Sequence, residues 1–124
     1  MFVIDSSCWL EYFAKGPKLH ACETWVEKAT PENCACPTIV LYEVYKKLKR
    51  DFGTETADHA NAIITANVAV VDLDGKIALD AADVSLRYNL AGADSIVKAT
   101  ANAFGATLVT LDHHFKGLEN VQLL

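Results

Sequence analysis

The chain has 124 residues, 52% of them hydrophobic, and a formal net charge of −5 at pH 7. This length predicts one domain, spanning residues 1–124, with enough apolar side chain for a buried core. The acidic balance argues against nucleic-acid binding through bulk positive charge, so such a role would depend on a local basic patch or a bound metal.

Membrane and export signals are not recognisable in the sequence. No apolar run approaches the roughly eighteen residues of a membrane helix, and Met1 leads directly into Phe2-Val3-Ile4 without a basic or leader-like segment. We therefore predict a cytoplasmic protein with free, mostly buried thiols, because the cysteine content is too low for a disulfide-stapled domain. The thiols concerned are Cys8, Cys22, Cys34 and Cys36.

Short strand-compatible apolar stretches alternate with helical patterns along the chain. This alternation predicts an α/β domain with three α/β/α layers around a mostly parallel sheet of about five strands. Uninterrupted apolar residues at Phe2–Ile4 and Leu108-Val109 are typical of central strands, which are covered on both faces. The predicted strands are Phe2–Ile4, Cys34–Cys36, Val68–Val71, Thr107–Leu111 and Val121–Leu124.

Helices are predicted between these strands from apolar periodicity and from Gly and Pro punctuation. Three are expected at Ser7–Ala14, Leu19–Lys28 and Glu55–Ala66. Three more are indicated by apolar stripes, namely Leu41/Val44/Tyr45/Leu48/Phe52, Ile77/Ala81/Val84/Tyr88 and Val97/Thr100/Ala101/Phe104.

Local signals add detail at the helix ends and surfaces. Gly53 and Gly105 stand where a left-handed C-terminal cap would end a helix, and Asp74 fits an N-cap. Asp83 and Arg87, four residues apart on a polar helix face, are predicted to form an ion pair.

Acidic residues from distant parts of the chain are expected to meet at one edge of the sheet. Asp5 and Asp112 each follow a predicted strand, and parallel strands end at a common carboxyl edge, where open α/β folds bind their ligands. Asp94 opens the predicted helix Ser95–Phe104, and Glu43 lies on the side of its helix opposite the apolar stripe. Both can reach the same edge.

Each of these residues has a structural alternative: Asp5 and Asp94 are plausible N-caps, and an exposed helical Glu43 is ordinarily solvated. As a set, however, crowded carboxylates raise one another's pKa, and a bound cation normally offsets that cost. Oxygen ligands favour Mg²⁺ or Mn²⁺, which activate water and stabilise the oxygens of a phosphodiester. The pattern therefore indicates metal-assisted phosphodiester hydrolysis.

Four segments carry a resemblance to a known family. Phe2–Ser7, Thr38–Glu43, Ala93–Ala101 and Leu108–Phe115 resemble the PIN-domain ribonucleases in order, spacing and total length. Over essentially the whole chain, the compact size is similar to the VapC-type toxins of prokaryotic toxin–antitoxin pairs.

This resemblance implies a Mg²⁺- or Mn²⁺-dependent endoribonuclease that acts on an RNA substrate, forms a homodimer and is inhibited by a cognate VapB-like antitoxin. It implies that the carboxylates of Asp5, Glu43, Asp94 and Asp112 form the metal pocket. Hydrogen bonds from other side chains would orient these carboxylates. The implied donors are Ser6, Ser7 and Thr110.

The sequence departs from the family at His114. Many members carry a further Asp two residues after the one that matches Asp112, and here that position is His114, next to His113. The imidazole would serve as a ligand, a proton donor or a phosphate contact, and a polar residue on a surface turn is the alternative.

Two surfaces are candidates for partners. Lys46, Lys47 and Arg50 share a predicted helix face with Glu43 and would guide RNA into the pocket, although a solvated face on which Lys47 pairs with Glu43 looks the same in sequence. The resemblance implies an antitoxin groove beside the N-terminal aromatic residues, with core packing as the competing account. These residues are Trp9, Tyr12, Phe13 and Trp25.

Other functions remain as rivals. A haloacid-dehalogenase-like phosphatase needs a second Asp two residues after the nucleophile, and Asp5-Ser6-Ser7 lacks it. A stand-alone PIN nuclease in RNA processing, or an interaction domain with a vestigial acidic pocket, fits the same residues.

Overall fold

The computed structural model describes residues 1–124 as a five-stranded sheet flanked by six helices. The strands are β1 (Phe2–Ile4), β2 (Cys34–Pro37), β3 (Ala69–Val71), β4 (Thr107–Thr110) and β5 (Val121–Leu123). The helices are α1 (Ser6–Ala14), α2 (Leu19–Lys28), α3 (Thr38–Phe52), α4 (Thr54–Asn67), α5 (Gly75–Tyr88) and α6 (Gly92–Ala103).

All four strand pairs are parallel, and the strand order is β3-β2-β1-β4-β5. Phe2, Val3 and Ile4 pair with Thr107, Leu108 and Val109, so β1 and β4 end side by side. The three-layer α/β/α prediction is confirmed, with β1 and β4 as inner strands. This arrangement brings the residues that follow these two strands to one edge.

The core fills both sides of the sheet because its central strands are apolar on both faces. Val3, Ile4, Leu108 and Val109 are fully buried. The four cysteines are buried and free, as predicted, and Cys8 Sγ donates a hydrogen bond to Cys22 Sγ over 2.9 Å. None of the helices is both long and apolar enough to span a bilayer.

The predicted apolar stripes are correct over most of their length and wrong at their last residues. Phe52, Tyr88 and Phe104 are exposed, whereas the earlier members of each stripe are buried or half-buried. The reason is geometric: α3 has fifteen residues and is therefore about 22 Å long, whereas strands of three or four residues span only about 10–13 Å. The end of α3 therefore extends beyond the length of the strands, and Phe104 already follows the last residue of α6.

The details at the helix ends are partly as predicted. Asp74 caps α5 by accepting a hydrogen bond from the Ile77 N–H over 2.9 Å, and Gly105 adopts the left-handed conformation with a φ of 58°. Gly53 has a φ of 95° but an extended ψ of 170°, because it joins α3 directly to α4. The predicted Asp83–Arg87 pair does not form, and Arg87 lies over the Tyr88 ring instead.

Candidate active site

Asp5 is the most deeply buried carboxylate at the carboxyl edge of the sheet, with 4% of its surface exposed. Although it occupies the N-cap position of α1, its side chain makes no capping hydrogen bond. Its Oδ2 accepts hydrogen bonds from Ser7 Oγ at 2.9 Å and Thr110 Oγ1 at 2.7 Å. Burial raises the pKa of Asp5, and these hydrogen bonds oppose the increase. The capping alternative is therefore wrong, and the carboxylate is oriented by hydroxyl groups.

The hydroxyl groups of Ser7 and Thr110 connect the end of β1 to the end of β4. They lie 3.3 Å apart, and the Leu111 N–H donates to Ser7 Oγ over 3.1 Å. The Asp112 N–H donates to Thr110 Oγ1 over 2.9 Å. The same pair of side chains thus orients Asp5 and fixes the backbone at Asp112.

Glu43 contributes a half-buried carboxylate from the second turn of α3. Its Oε1 accepts a hydrogen bond from Ser6 Oγ at 3.2 Å. Burial raises the pKa of Glu43, as do the charges of Asp5 and Asp94, while the Ser6 hydrogen bond and the Lys47 charge lower it. Glu43 therefore faces the other carboxylates.

The buried face of α3 differs from the predicted stripe. Val40, Val44 and Leu48 are fully buried, whereas Leu41 and Tyr45 are only half-buried. The core-facing side is therefore rotated towards Glu43 and brings its carboxylate to the border of the core.

Asp94 lies in the first turn of α6, which begins at Gly92 with Ala91 as its N-cap. The prediction that Asp94 caps the helix is wrong. The helix begins at Gly92, two residues before Asp94, so Asp94 is a residue of its first turn. Burial raises the pKa of Asp94, and so do the negative charges of Asp112 and Asp5, whereas His114 lowers it. Asp94 and Asp5 therefore share one site.

Asp112 and His114 complete the cluster at the turn after β4. The carboxylate of Asp112 accepts a hydrogen bond from the His114 N–H over 2.9 Å. Nδ1 of His114 lies 3.2 Å from Asp112 Oδ1 and 3.5 Å from Asp94 Oδ2. One potential ligand atom from each of these three residues lies within 4.8 Å of the others. His114 is on the surface, with 75% of its side chain exposed, and also contacts the acidic cluster.

This donor set fits a hard divalent cation. The carboxylates raise one another's pKa at short range, and a cation bound among them would remove that repulsion. Carboxylate oxygens with one imidazole nitrogen suit Mg²⁺ or, more favourably, Mn²⁺. A cavity of about 270 Å³ opens beside Asp94 and His114, so ligands have access from solvent.

The sequence of the chain matches a known protein family. The PIN domain family model matches residues 2–120 of the 124. The chain belongs to the PIN domain family. A search of curated protein sequences gives no match to this PIN domain.

Solved structures share its fold at low sequence identity. A toxin–antitoxin complex from Klebsiella pneumoniae gives a TM-score of 0.80 at 20% identity, covering 98% of this chain and 96% of that one. The VapC20 toxin of Mycobacterium tuberculosis, described as cleaving the sarcin–ricin loop, gives 0.82 at 18% identity, covering 99% and 98%. A DNA-bound VapBC complex from Salmonella typhimurium gives 0.78 at 15%, covering 99% and 96%. At these identities the likeness establishes a common fold.

The basic face predicted on α3 is largely occupied by neighbours on the same helix. Arg50 forms a two-pronged contact with Asp51, with N–O distances of 2.8 and 3.2 Å. Nζ of Lys46 donates to the Tyr42 hydroxyl over 3.4 Å. Of the three basic residues, Lys47 is the one whose charge acts on Glu43.

The N-terminal aromatic residues of this PIN domain divide between core and surface. Trp9 is fully buried, which agrees with the core-packing account for this residue, and its Nε1 has no hydrogen-bond partner. Tyr12 and Phe13, in contrast, line an open groove of about 330 Å³ together with Leu19 and Ile63.

Sequence reasoning missed two features near the site. Tyr88, Asn89 and Leu90 line the cavity beside Asp94, although nothing in their local pattern distinguishes them from an ordinary interhelical turn. Lys98 is almost completely buried in α6. The sequence contains a signal for this burial, because Lys98 lies within the apolar run Val97–Ala101, four residues after Asp94.

Proposed function

We propose that this PIN domain is a divalent-metal-dependent endoribonuclease and the toxin of a toxin–antitoxin pair. The observation that carries the proposal is the convergence of Asp5, Glu43, Asp94 and Asp112 at one sheet edge, where three of them have pKa values raised by burial and by one another's charge. Such a cluster of carboxylates is electrostatically unfavourable without a cation, and it can bind a divalent cation for catalysis.

The residues of the site have distinct proposed roles. Asp94, Asp112 and His114 provide the most compact set of ligand atoms. Asp5 completes the site with a carboxylate that Ser7 and Thr110 hold in one orientation, and Ser6 does the same for Glu43. When bound, Mg²⁺ or Mn²⁺ supplies activation of water and stabilisation of charge on the phosphodiester oxygens.

The structural neighbours support RNA as the substrate and an antitoxin as the partner. One of them is described as a toxin that cleaves the sarcin–ricin loop, and others are VapBC complexes. The groove beside Tyr12 and Phe13 offers an apolar surface between α1, α2 and α4. We assign an apolar segment of the antitoxin to this groove.

The decisive experiment incubates purified protein with total RNA, with Mn²⁺ or with chelator, and maps new RNA ends. Cleavage is expected with Mn²⁺ only, and Asp5→Asn is expected to abolish it while circular dichroism remains that of the wild type. Asp83→Asn, a change at an exposed aspartate on α5 that forms no ion pair, is the matched control. Equal cleavage by Asp5→Asn and wild type would overturn the proposal.

A second experiment separates a toxin from a stand-alone nuclease. Expression of the protein in cells is expected to arrest growth, and co-expression of an antitoxin encoded in a neighbouring reading frame is expected to relieve the arrest. Arrest without relief would remove the antitoxin part of the proposal and leave the nuclease part intact.

A further inference from the structure

Helix α6 carries a polar stripe that begins in the acidic site and extends away from it. Asp94, Lys98 and Asn102 follow one another at four-residue intervals and therefore lie on one face of the helix. Each interval is a rise of about 6 Å along the axis. Lys98 thus lies one helical turn from a proposed metal ligand.

Lys98 is buried and forms no ion pair. Only 3% of its surface is exposed, and its Nζ donates one hydrogen bond, to Asn102 Oδ1 over 2.7 Å. It takes part in none of the ion pairs of the protein. Burial lowers the pKa of Lys98, and Glu119 is the one charged residue that counteracts this. Lysine is almost never fully buried unless it is paired, and the one carboxylate that acts on Lys98, Glu119, does not lie within ion-pair distance.

The ammonium group borders a cavity of about 310 Å³ that is lined mostly by polar residues. Arg87 is a second cation in its wall and is also free of ion pairs. Asn102 and Asn120 add amide groups, and Glu119 is the single carboxylate. Two cations and two amides facing one cavity are the groups that recognise an anion with several oxygens.

This cavity adjoins the one beside the acidic cluster. Tyr88 lines both of them, and the second cavity contains Asp94 and His114. The two cavities therefore border the same exposed aromatic side chain, with the carboxylates in one and Lys98 in the other. An aromatic side chain between two phosphate sites is suited to stacking a base of a single strand.

We propose that Lys98 and Arg87 bind a backbone phosphate of the RNA strand next to the scissile bond, with Tyr88 contacting the intervening nucleotide. This inference rests on the proposed function, since it takes the acidic cluster as the place of cleavage. It assigns the main phosphate contact to the α5–α6 side of the site rather than to α3, where the charge of Arg50 is paired with Asp51.

The test measures binding of a labelled single-stranded RNA by fluorescence anisotropy, in chelator, so that cleavage is not needed for the readout. Lys98→Met is expected to weaken binding about tenfold, the scale of one lost hydrogen bond to a charged group. It should also reduce the slope of log K against log salt by about 0.7, since one phosphate contact fewer is made to a single strand. Glu119→Gln should tighten binding.

Lys76→Met is the matched control, because it removes the same charge from an exposed lysine that is paired with Asp80. The proposal is overturned if Lys98→Met and Lys76→Met bind RNA equally with equal salt slopes. Arg87→Met, at an exposed position, gives the same test should Lys98→Met fail to fold. Binding of a nucleoside monophosphate as tightly as the oligomer would assign the cavity to free nucleotide and also overturn the proposal.

The two proposals fail in distinguishable ways. Wild-type protein that binds RNA through Lys98 but never cleaves it with Mn²⁺ would keep the phosphate site and remove the ribonuclease. Protein that cleaves RNA while Lys98→Met binds like the wild type would keep the ribonuclease and remove the phosphate site.

Discussion

Asp5 illustrates how a single residue can lower stability while serving a site. Its carboxylate is buried beside other acids, and Ser7 and Thr110 hold it in place. Since its pKa is higher in the folded protein than in the unfolded chain, the folded state binds more protons between those two values. Stability of the metal-free protein therefore falls as pH rises through that interval, and the loss persists at neutral pH.

Asp5→Asn is accordingly expected to raise the melting temperature of the metal-free protein at pH 7, because the amide oxygen still accepts both hydroxyl hydrogen bonds without carrying charge. A change of 1 kcal/mol corresponds to about 4 °C in a domain of this size. Mn²⁺ should stabilise the wild type and no longer stabilise the variant. Scanning calorimetry with and without Mn²⁺ measures both effects.

The control for this comparison is Asp74→Asn, because the carboxylate of Asp74 caps α5 and does not belong to the acidic cluster. Mn²⁺ should stabilise this variant as much as it stabilises the wild type. If the metal-free Asp5→Asn variant melts at a lower temperature than the wild type, the charge of Asp5 does not destabilise the metal-free protein.

His114 is expected to be a nitrogen ligand of the metal. Its Nδ1 faces Asp94 and Asp112, and a nitrogen donor favours Mn²⁺ over Mg²⁺. Pulsed electron paramagnetic resonance of the Mn²⁺-loaded protein should show coupling to a ligated nitrogen-14 nucleus. The coupling should disappear in His114→Ala and persist in His113→Ala, which changes the adjacent exposed histidine.

His114→Asp introduces the residue that the family resemblance implies at this position and should shift the metal preference towards Mg²⁺. Calorimetric titration of the two ions against this variant and the wild type measures that preference. Nitrogen coupling that survives in His114→Ala would show that the imidazole does not bind the metal.

Among the secondary-structure elements, the junction between β1, α1 and β4 determines the geometry of the site. These elements meet because parallel strands end at one edge, and the hydroxyl groups of Ser7 and Thr110 then link them by hydrogen bonds. Thr110 both donates to Asp5 and accepts from the Asp112 N–H, so it positions two acidic residues at once.

Thr110→Val keeps the shape of the side chain and removes both hydrogen bonds. We expect it to lower the free energy of unfolding by about 1–3 kcal/mol, the cost of leaving a buried polar group unsatisfied, and to weaken Mn²⁺ binding. Urea denaturation and calorimetric titration provide the two measurements. Thr107→Val, on the same strand with a hydroxyl that makes no hydrogen bond to protein, should change neither quantity appreciably. Equal behaviour of the two variants would remove the positioning role of Thr110.

On the scale of the whole molecule, the two most exposed large apolar side chains lie on α5. Leu79 and Leu86 are 72% and 86% exposed and lie seven residues apart, hence on one side of the helix. Exposed apolar surface of this kind marks interaction sites. We expect this side of α5 to form the homodimer contact that the family resemblance implies.

We expect the purified protein to be a dimer and the double variant Leu79→Glu, Leu86→Glu to be a monomer, because two charges would be buried against the partner. Light scattering coupled to size-exclusion chromatography measures the mass directly. Phe52→Glu, which changes an exposed apolar residue on α3, should remain dimeric. A monomeric wild type at micromolar concentration would refute the homodimer.

The architecture and much of the acidic site were accessible from local pattern. Strand–helix alternation, the uninterrupted apolar residues of β1 and β4, and the acidic residue after each of these strands are properties of short segments, and parallel pairing places the two acids together without further information. The cap at Asp74 is equally local, since it depends on a side chain and a backbone N–H three residues away.

The remaining features depend on groups that are distant in sequence, and only the assembled fold decides them. The start of α6 at Gly92 excludes Asp94 from the cap, and packing of α3 on the sheet rotates Glu43 towards the core. The contact of His114 with Asp94 and the burial of Lys98 without an ion pair arise in the same way. The burial of a side chain and the charges around it depend on neighbours from several elements. A local sequence pattern does not specify those neighbours.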